Sequence, residues 1–545
     1  MQIGSKLIEK LVVYCVLATT LLVTPTFSYD PINVPRFFTL ATFGSISFFI
    51  LLICKKHIIA KNRSLIFGLS IGFLIISTIS LIASKLNFGD LIFGVTGRQT
   101  GYLTYVFLVL LMLITSLASN NSLVSGLLRV LIISGLISAL YGLLQSLNLD
   151  AFEWVNPYSP VFGFFGNPNF LSSFLGISAT GALAFSLNKG IESSQRIICT
   201  SYIPFALYII FKTKSQQGFL VLFIGVSIVL LLWVKNHSKY SKFVVHYLLF
   251  ISTSFVLTIL DILQKAPWNS ILYKESVSFR GDFWRTGWNI TRDNPIFGVG
   301  LDGYRDSFRS YRDQVAFDRA PDSTVSSAHN VFLDLSSGGG FLLALIYLAI
   351  VVLVIISAIK VVRRESAFNA NFAGLLGAWV AYLAQSIISI NQIGLAIWGW
   401  VLSGLIIGYE INTRNESDRP VDIKLSKFRL AVIFGLISGL VIALPLVQAD
   451  AKFRSTVKSG DVLKIEQNLS QWPQSVIRMN IAAQIFIDGG LADRALTISK
   501  KAVELNPYNF EAWEKIYLNP TAKEQDKSKA LTEMKLIDPL SLKYR

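Results

Sequence analysis

Charged side chains are scarce in this sequence: Asp, Glu, Lys and Arg make up 15% of 545 residues, whereas apolar types make up 52%. Soluble globular domains carry about 25% charged residues, so this composition excludes that class. Cysteine is also rare. Cys15, Cys54 and Cys199 are far apart and lie in apolar stretches, which excludes a disulfide framework and offers no metal-binding spacing. Neither a cofactor nor a metal is indicated.

Long apolar stretches fill the chain instead. A helix needs roughly 20 apolar residues to cross about 30 Å of hydrocarbon, where no water satisfies an open backbone. The sequence therefore predicts an all-α, polytopic membrane protein with thirteen spans. The predicted spans are residues 11–24, 37–54, 64–84, 102–118, 123–147, 169–187, 197–211, 219–234, 243–260, 341–359, 372–390, 393–409 and 430–447. They form a membrane domain of residues 1–447.

The predicted orientation follows from the basic residues, because lysine and arginine in short loops favour the cytoplasmic side. Alternate loops are rich in them, at 55–63, 235–242, 360–364 and 414–429, and Lys6 and Lys10 lie on the same side. The N-terminus is therefore predicted to be cytoplasmic. Thirteen spans then place the long polar loop 261–328 and the C-terminal residues 448–545 outside the cytoplasmic membrane. Since topology explains much of the net charge of +16, nucleic acid is not an expected partner.

The tail, residues 448–545, has apolar residues at helical spacing and resembles tetratricopeptide repeats. Pro473, Pro507 and Pro539 recur at intervals of 34 and 32 residues, close to the repeat length. A generic helical bundle is the alternative. In either case we expect a surface that docks a protein partner.

The loop 261–328 is rich in arginine and aromatic residues. Tyr304, Phe308 and Tyr311 share one helical face, and Arg305, Arg309 and Arg312 occupy the neighbouring face. This pattern is typical of a helix on a membrane surface, with rings in the interface and guanidinium groups toward phosphates. A packing helix without chemistry is the alternative.

His329 lies between this loop and the following span. Ser326 or Ser327 can cap that span, which would leave His329 in its first turn, where the helix dipole disfavours protonation. A neutral imidazole there can accept a proton from an attacking hydroxyl group. The residues alone do not separate this role from a hydrogen bond that merely holds the loop.

The chain resembles the bacterial O-antigen ligase and O-antigen polymerase superfamily. The resemblance rests on an ordered set of short motifs across most of the membrane region. These are Gly97-Arg98-Gln99-Thr100-Gly101, Gly166-Asn167-Pro168-Asn169, Arg280-Gly281-Asp282-Phe283-Trp284, Asn294-Pro295 with Gly298-Val299-Gly300, and Ala328-His329-Asn330.

The resemblance implies a glycosyltransferase that moves a saccharide from an undecaprenyl-diphosphate carrier to the hydroxyl of a lipid, glycan or protein acceptor, with no metal. It implies catalytic roles for His329, on the acceptor, and Arg280, on the diphosphate, within a catalytic loop 261–328. Substrate-binding roles are expected for Arg98, Asn167, Asn169, Trp284, Arg285, Asn330, Lys212 and Lys214. The chain departs from the family at Ser215-Gln216-Gln217, where an arginine is usual and where Lys212 or Lys214 is the candidate substitute. Gly338 likewise stands where the family usually has an acidic residue.

Two other functions remain open from sequence. A transporter, or an accessory subunit of one, suits thirteen spans. A transporter needs charged residues or broken helices at mid-membrane, however, and this chain offers chiefly Arg129. A scaffold for envelope assembly, with the tail as its working part, is the third.

Overall fold

The computed structural model describes residues 3–60, 62–152, 154, 159–235, 244–262, 275–414, 423–541 and 543. All regular elements in these ranges are helices, and no strand occurs among them. Nine of the described helices are long and apolar enough to cross a membrane. The predicted all-α, polytopic membrane class is therefore confirmed. Lys61, residues 263–274 of the predicted loop and the basic stretches 236–243 and 415–422 lie outside the described ranges.

Each of the thirteen predicted spans coincides with a helix or part of one. The helices up to the tail are α1 (Ile3–Leu21), α2 (Asn33–Ile53), α3 (Lys55–Ile58), α4 (Ser64–Ala83), α5 (Phe88–Phe93), α6 (Tyr102–Ala118), α7 (Asn121–Ser146), α8 (Pro168–Ser186), α9 (Ser193–Lys212), α10 (Gln217–Lys235), α11 (Val244–Ile262), α12 (Glu275–Asp293), α13 (Tyr304–Tyr311), α14 (Gln314–Arg319), α15 (Val331–Arg364), α16 (Ala370–Ile388), α17 (Ile393–Arg414) and α18 (Leu425–Ser459).

The apolar helices differ in what surrounds them. In α17, 100% of the residues in its 18-residue apolar stretch are buried within the protein, so this helix forms the centre of the bundle. In the corresponding stretch of α4 only 28% are buried, and side chains such as Ile75 and Ile82 are exposed. A helix that is apolar all round and exposed on most of its surface suits contact with lipid hydrocarbon.

Helix α15 bends at Gly340, where φ is 75° and ψ is 177°, a conformation that only glycine adopts readily. The loop after α12 packs at this bend. The amide of Val299 donates to the carbonyl of Ser337 at 2.9 Å, and the amide of Gly300 donates to that of Gly338 at 2.8 Å. These bonds satisfy backbone groups freed by the bend, and they fix the first part of α15, which follows His329.

The aromatic side chains of α13 do not lie in a membrane interface. Tyr304 and Phe308 are buried against Ile290 of α12 and against Ala328. Among the neighbouring basic side chains, Arg309 and Arg312 bind the carboxylate of Asp538 in the tail. The interpretation of this segment as a membrane-surface helix is therefore wrong. Its apolar face instead completes a small core of the loop.

The tail continues from α18 without a break, so the predicted boundary at residue 447 falls inside a helix. Five helices follow, packed on a separate apolar core. They are α19 (Val462–Leu469), α20 (Val476–Asp488), α21 (Ala492–Leu505), α22 (Phe510–Leu518) and α23 (Glu524–Ile537). Pro473, Pro507 and Pro539 follow α19, α21 and α23. The identity of this region as a tetratricopeptide domain remains a prediction.

Candidate functional site

A polar cavity of about 310 Å³ opens where five connecting segments meet, and His329 lies in its wall. The segments are the start of α2, the loop before α6, the loop before α8, the loop before α15 and the turn between α16 and α17. The lining residues are Ile32, Asn33, Gly97, Arg98, Thr100, Phe165, Gly166, Asn167, Asn169, Phe170, Ser326, His329, Ser389, Ile390, Asn391 and Gln392.

The backbone of His329 has φ of 52°, in the left-handed region that few non-glycine residues occupy. Three hydrogen bonds stabilise this turn. The amide of His329 donates to Ser327 Oγ at 2.9 Å, and Asp334 accepts from the amide of Ala328 at 2.7 Å and from Ser327 Oγ at 3.1 Å. The imidazole packs on the ring of Phe283, with centroids 5.3 Å apart. The side chain is thus fixed. Neither ring nitrogen has a hydrogen-bond partner among the residues that the structure describes.

The predicted cap of α15 is wrong. Asn330 is the N-cap, and its side chain accepts from the amides of Phe332 and Leu333 at 3.0 and 3.2 Å. His329 therefore precedes the helix and does not lie in its first turn. Asn330, expected to bind substrate, acts here as a cap.

The pKa of His329 is lowered from 6.5 to about 3 by burial and by the positive charges of Arg280 and Arg98. The expected neutral imidazole is therefore found, although its main causes differ from the helix dipole that sequence reasoning invoked. Arg98 is bonded to Ser326, three residues before His329, and Arg280 lies one helical turn before Phe283, on whose ring the imidazole packs.

Arg98 connects the loop before α6 to the segment before His329. Its guanidinium donates to the carbonyl of Ser326 and pairs with Asp302, Nε to Oδ1 at 3.1 Å. Asp302 is itself held by Thr100 Oγ1 at 3.0 Å and by the amide of Val95 at 2.8 Å. Asp302 thus occupies the Nε edge of the Arg98 guanidinium group, and Arg98 also lines the cavity.

Arg280 projects from α12 and donates to Gln217 Oε1 at 3.1 Å. Gln217 donates in turn to Ser173 Oγ at 2.8 Å. Burial lowers the pKa of Arg280 to about 10. No described carboxylate pairs with Arg280, so its charge has only a neutral partner. Gln217 belongs to the Ser215-Gln216-Gln217 departure, so this segment orients Arg280 through Gln217.

Asn167 and Asn169 lie at the cavity, as a shared site requires, but both also have structural partners. Asn167 caps α8 by accepting from the amide of Asn169 at 2.8 Å. Asn169 Oδ1 accepts from Ser215 Oγ at 2.7 Å. Their remaining amide groups face a cavity that they line.

Six predicted residues are not among the lining residues: Arg280 and Asn330, described above, and Arg285, Trp284, Lys212 and Lys214. Arg285 is held by Asp282 and, at 2.6 Å, by Asp313, so it stabilises the loop. Trp284 is half-buried on the same helix. Lys212 Nζ lies over the ring of Tyr208 at 5.4 Å, and Lys214 is exposed. Neither lysine substitutes for an arginine at the cavity.

Sequence reasoning missed the wall formed by Asn33 and by the turn Ser389, Asn391 and Gln392. Gln392 Oε1 is buried and has no hydrogen-bond partner among the described residues, so this wall presents an unsatisfied acceptor. A polar turn between two apolar spans was the available signal. In the described part of the chain, no group of three or more His, Cys, Asp or Glu side chains could hold a metal.

The fold and cavity define a polytopic helical membrane protein with a basic, histidine-containing site at the loop end of its bundle. Residues 202–348 match the family model described as O-antigen ligase, which supports membership in the O-antigen ligase superfamily. The matched segment includes Arg280 and His329 but not Arg98, Asn167 or Asn169. No curated protein matches the chain.

Proposed function

We propose that this protein transfers a saccharide from a lipid-diphosphate carrier, undecaprenyl diphosphate by resemblance, to an acceptor hydroxyl group. The observation that carries the proposal is a neutral His329 in the wall of a cavity that Arg98 also lines, with Arg280 one helical turn before Phe283, on whose ring the imidazole packs. Two guanidinium groups suit a diphosphate, and an imidazole without a hydrogen-bond partner suits a hydroxyl group that must lose its proton.

In the proposed reaction, the acceptor oxygen attacks the anomeric carbon while its proton moves to His329. The bond between the anomeric carbon and the diphosphate oxygen breaks, and the carrier diphosphate leaves with the electron pair. Arg280 and Arg98 stabilise the negative charge that develops on this leaving group. The enzyme then contributes mainly position and charge, because a diphosphate is already a good leaving group.

Without donor, the low pKa of His329 would make the imidazole a weak base. Donor binding should raise this pKa. A bound diphosphate offsets the charges of Arg280 and Arg98, which are two of the three causes of the lowered pKa. The pKa of His329 should therefore rise when donor binds, so that proton acceptance is matched to a loaded site.

The neutral wall supports a saccharide as the transferred group. Asn33, Ser389, Asn391 and Gln392 add amide and hydroxyl groups to the lining of the cavity. Such groups bind sugar hydroxyls without adding charge. Ligation, polymerisation and protein glycosylation share this chemistry.

The deciding experiment uses purified protein in liposomes with a radiolabelled, lipid-linked oligosaccharide and an acceptor glycan. Transfer of label to the acceptor supports the proposal. Movement of the lipid-linked sugar between leaflets, without any new glycosidic bond, would instead establish the transporter function.

We further propose that the cavity, the loop 261–328 and a tetratricopeptide-like domain 448–545 lie outside the cytoplasmic membrane, with residues 1–447 as the membrane domain. The contacts between loop and tail support a common side. Cysteines introduced at the exposed Ser310 and Ser528 should both react with an impermeant maleimide in intact cells. Labelling only after lysis would invert the orientation.

A further inference from the structure

The tail contacts two of the segments that border the cavity, and each contact lies close to a residue that lines it. Before α2, the amides of Tyr29 and Asp30 donate to the Asp450 carboxylate at 2.7 and 3.2 Å, and Asn33 lines the cavity shortly afterwards. Before α6, Thr96 Oγ1 and Ser475 Oγ are 2.8 Å apart. Thr96 is two residues from Arg98.

The third contact is the strongest and involves the loop before His329. Asp538 Oδ2 accepts from Arg309 Nη1 at 2.8 Å and from Arg312 Nη2 at 2.7 Å. The side chains of Asp538 and Arg312 are 0% exposed. The guanidinium of Arg309 also lies over the ring of Phe510 in the tail, 4.0 Å from its centroid.

The same two arginines hold the backbone that leads to His329. Arg309 donates to the carbonyl of Asp322 at 2.6 Å and to Thr324 Oγ1 at 2.8 Å, and Arg312 donates to the carbonyl of Pro321 at 2.8 Å. A few residues later, Ser326 and His329 line the cavity. One carboxylate of the tail therefore orients two side chains that fix the segment 320–324.

We propose that the tail is an intramolecular clamp on the cavity, and that Asp538 is a positioning residue for His329. Removing one partner of a buried ion pair leaves the other charge uncompensated, which is strongly destabilising. Without Asp538, Arg309 and Arg312 would lie next to each other without the buried carboxylate that both bind, and the segment 320–324 would lose its fixed donors. The effect on transfer rests on the proposed function, whereas the effect on loop order does not.

The first experiment measures amide hydrogen exchange of the full-length protein in nanodiscs. Asp538→Asn keeps the shape of the side chain and removes its charge. Exchange across 320–330 should become about tenfold faster or more, because a locally opened segment loses protection. Asp526→Asn is the matched control, since Asp526 is a partly exposed tail carboxylate paired with Lys500 within the tail at 2.7 Å. It should leave that segment unchanged.

Exchange in α20 and α21 distinguishes loss of the clamp from loss of the tail fold, and it should stay at the wild-type rate in Asp538→Asn. If the whole tail exchanges fast, Arg312→Gln tests the same contact from the loop side. Wild-type exchange of 320–330 in both variants would overturn the clamp.

The second readout is transfer. Asp538→Asn should lower kcat about tenfold with KM for the donor changed less, and Asp538→Glu should restore part of the rate, because it returns the charge. Equal loss in Asp538→Glu and Asp538→Asn would contradict a positioning role. If the wild-type protein transfers no sugar, the proposed function fails, while hydrogen exchange still decides on the clamp.

Discussion

Arg280, on the helix whose Phe283 packs on His329, and Arg312, at the contact between loop and tail, are both at least partly buried, and they differ in their partners. Arg312 binds the carboxylate of Asp538, whereas Arg280 binds the neutral amide oxygen of Gln217. Arg312 is satisfied within the fold, because Asp538 and three loop carbonyl groups accept from its two terminal nitrogens, whereas Arg98 pairs with Asp302 through Nε and still lines the cavity. A cation with only a neutral partner retains charge for an anion that arrives from outside. Of the two, only Arg280 is therefore arranged to bind a ligand.

The comparison extends to the neighbours. Around Arg312, every polar contact serves the fold, and three carbonyl groups of the loop accept from its guanidinium. Near Arg280 are a second arginine and an imidazole whose pKa both arginines lower. Perturbed titration next to a polar cavity is typical of functional sites. The following predictions test this division from the largest expected effect to the smallest.

His329→Ala should reduce transfer by about a hundredfold or more, because the proton of the acceptor hydroxyl group would lose its base. Donor binding should persist, since the diphosphate contacts belong to Arg280 and Arg98. The measurement is the transfer rate in liposomes at matched protein level. His57→Ala is the control, because His57 is exposed on the short helix α3. A wild-type rate in His329→Ala would leave the histidine with a structural role only.

Arg280→Lys should lower kcat/KM for the donor about tenfold while keeping part of the activity. Lysine retains the charge but loses the planar fork that binds two phosphate oxygens at once. Arg292→Lys is the matched control on the same helix, since Arg292 is exposed and pairs only with the adjacent Asp293. Equal kinetics in both variants would show that Arg280 carries no more of the donor charge than a surface arginine.

The sequence predicted the fold class and the positions of the apolar helices well, although nine rather than thirteen of the described helices are long and apolar enough to cross a membrane, because apolar length is a local property that the membrane imposes directly. Short motifs also predicted Arg280, Arg98 and His329 as site residues, and the structure places Arg98 and His329 in the lining of one cavity. It failed where the outcome depends on distant partners. The basic face of α13 carries the same residue types as a membrane-surface helix, and only the position of Asp538, more than 200 residues later, shows that the tail covers it.

The residues that sequence reasoning missed have the same explanation. Asn33 and Gln392 are separated by 359 positions and meet only because α2 and α17 pack near each other in the bundle. Conversely, Arg285 carries the charge expected of a phosphate ligand, but Asp282 and Asp313 are placed to neutralise it. Charge alone does not distinguish a ligand-binding arginine from a paired one.

The pH dependence of the transfer kinetics should differ between the free and the donor-bound enzyme. In the free enzyme the pKa of His329 is about 3, so the imidazole is neutral above that value. The rate constant kcat/KM, which reports the free enzyme, should therefore stay flat from about pH 8 to 5. With donor bound the pKa rises, and kcat should fall on acidification at a higher pH than kcat/KM does. A decline of kcat/KM centred near 6.5 would contradict a histidine whose pKa is held low.

Arg305→Ala should have the smallest effect, a change in transfer of less than about twofold. Arg305 shares the basic face of α13 with Arg309 and Arg312, but its bond to Glu511 is long, at 3.4 Å, and Glu511 is 44% exposed. Such a peripheral ion pair contributes about 0–1 kcal/mol. The informative companion measurement is flotation of a fusion of residues 275–330 with anionic vesicles. If Arg305→Ala lowered both vesicle binding and transfer severalfold, the basic face of α13 would bind phosphates after all, and the contrast between the two arginine groups would fail.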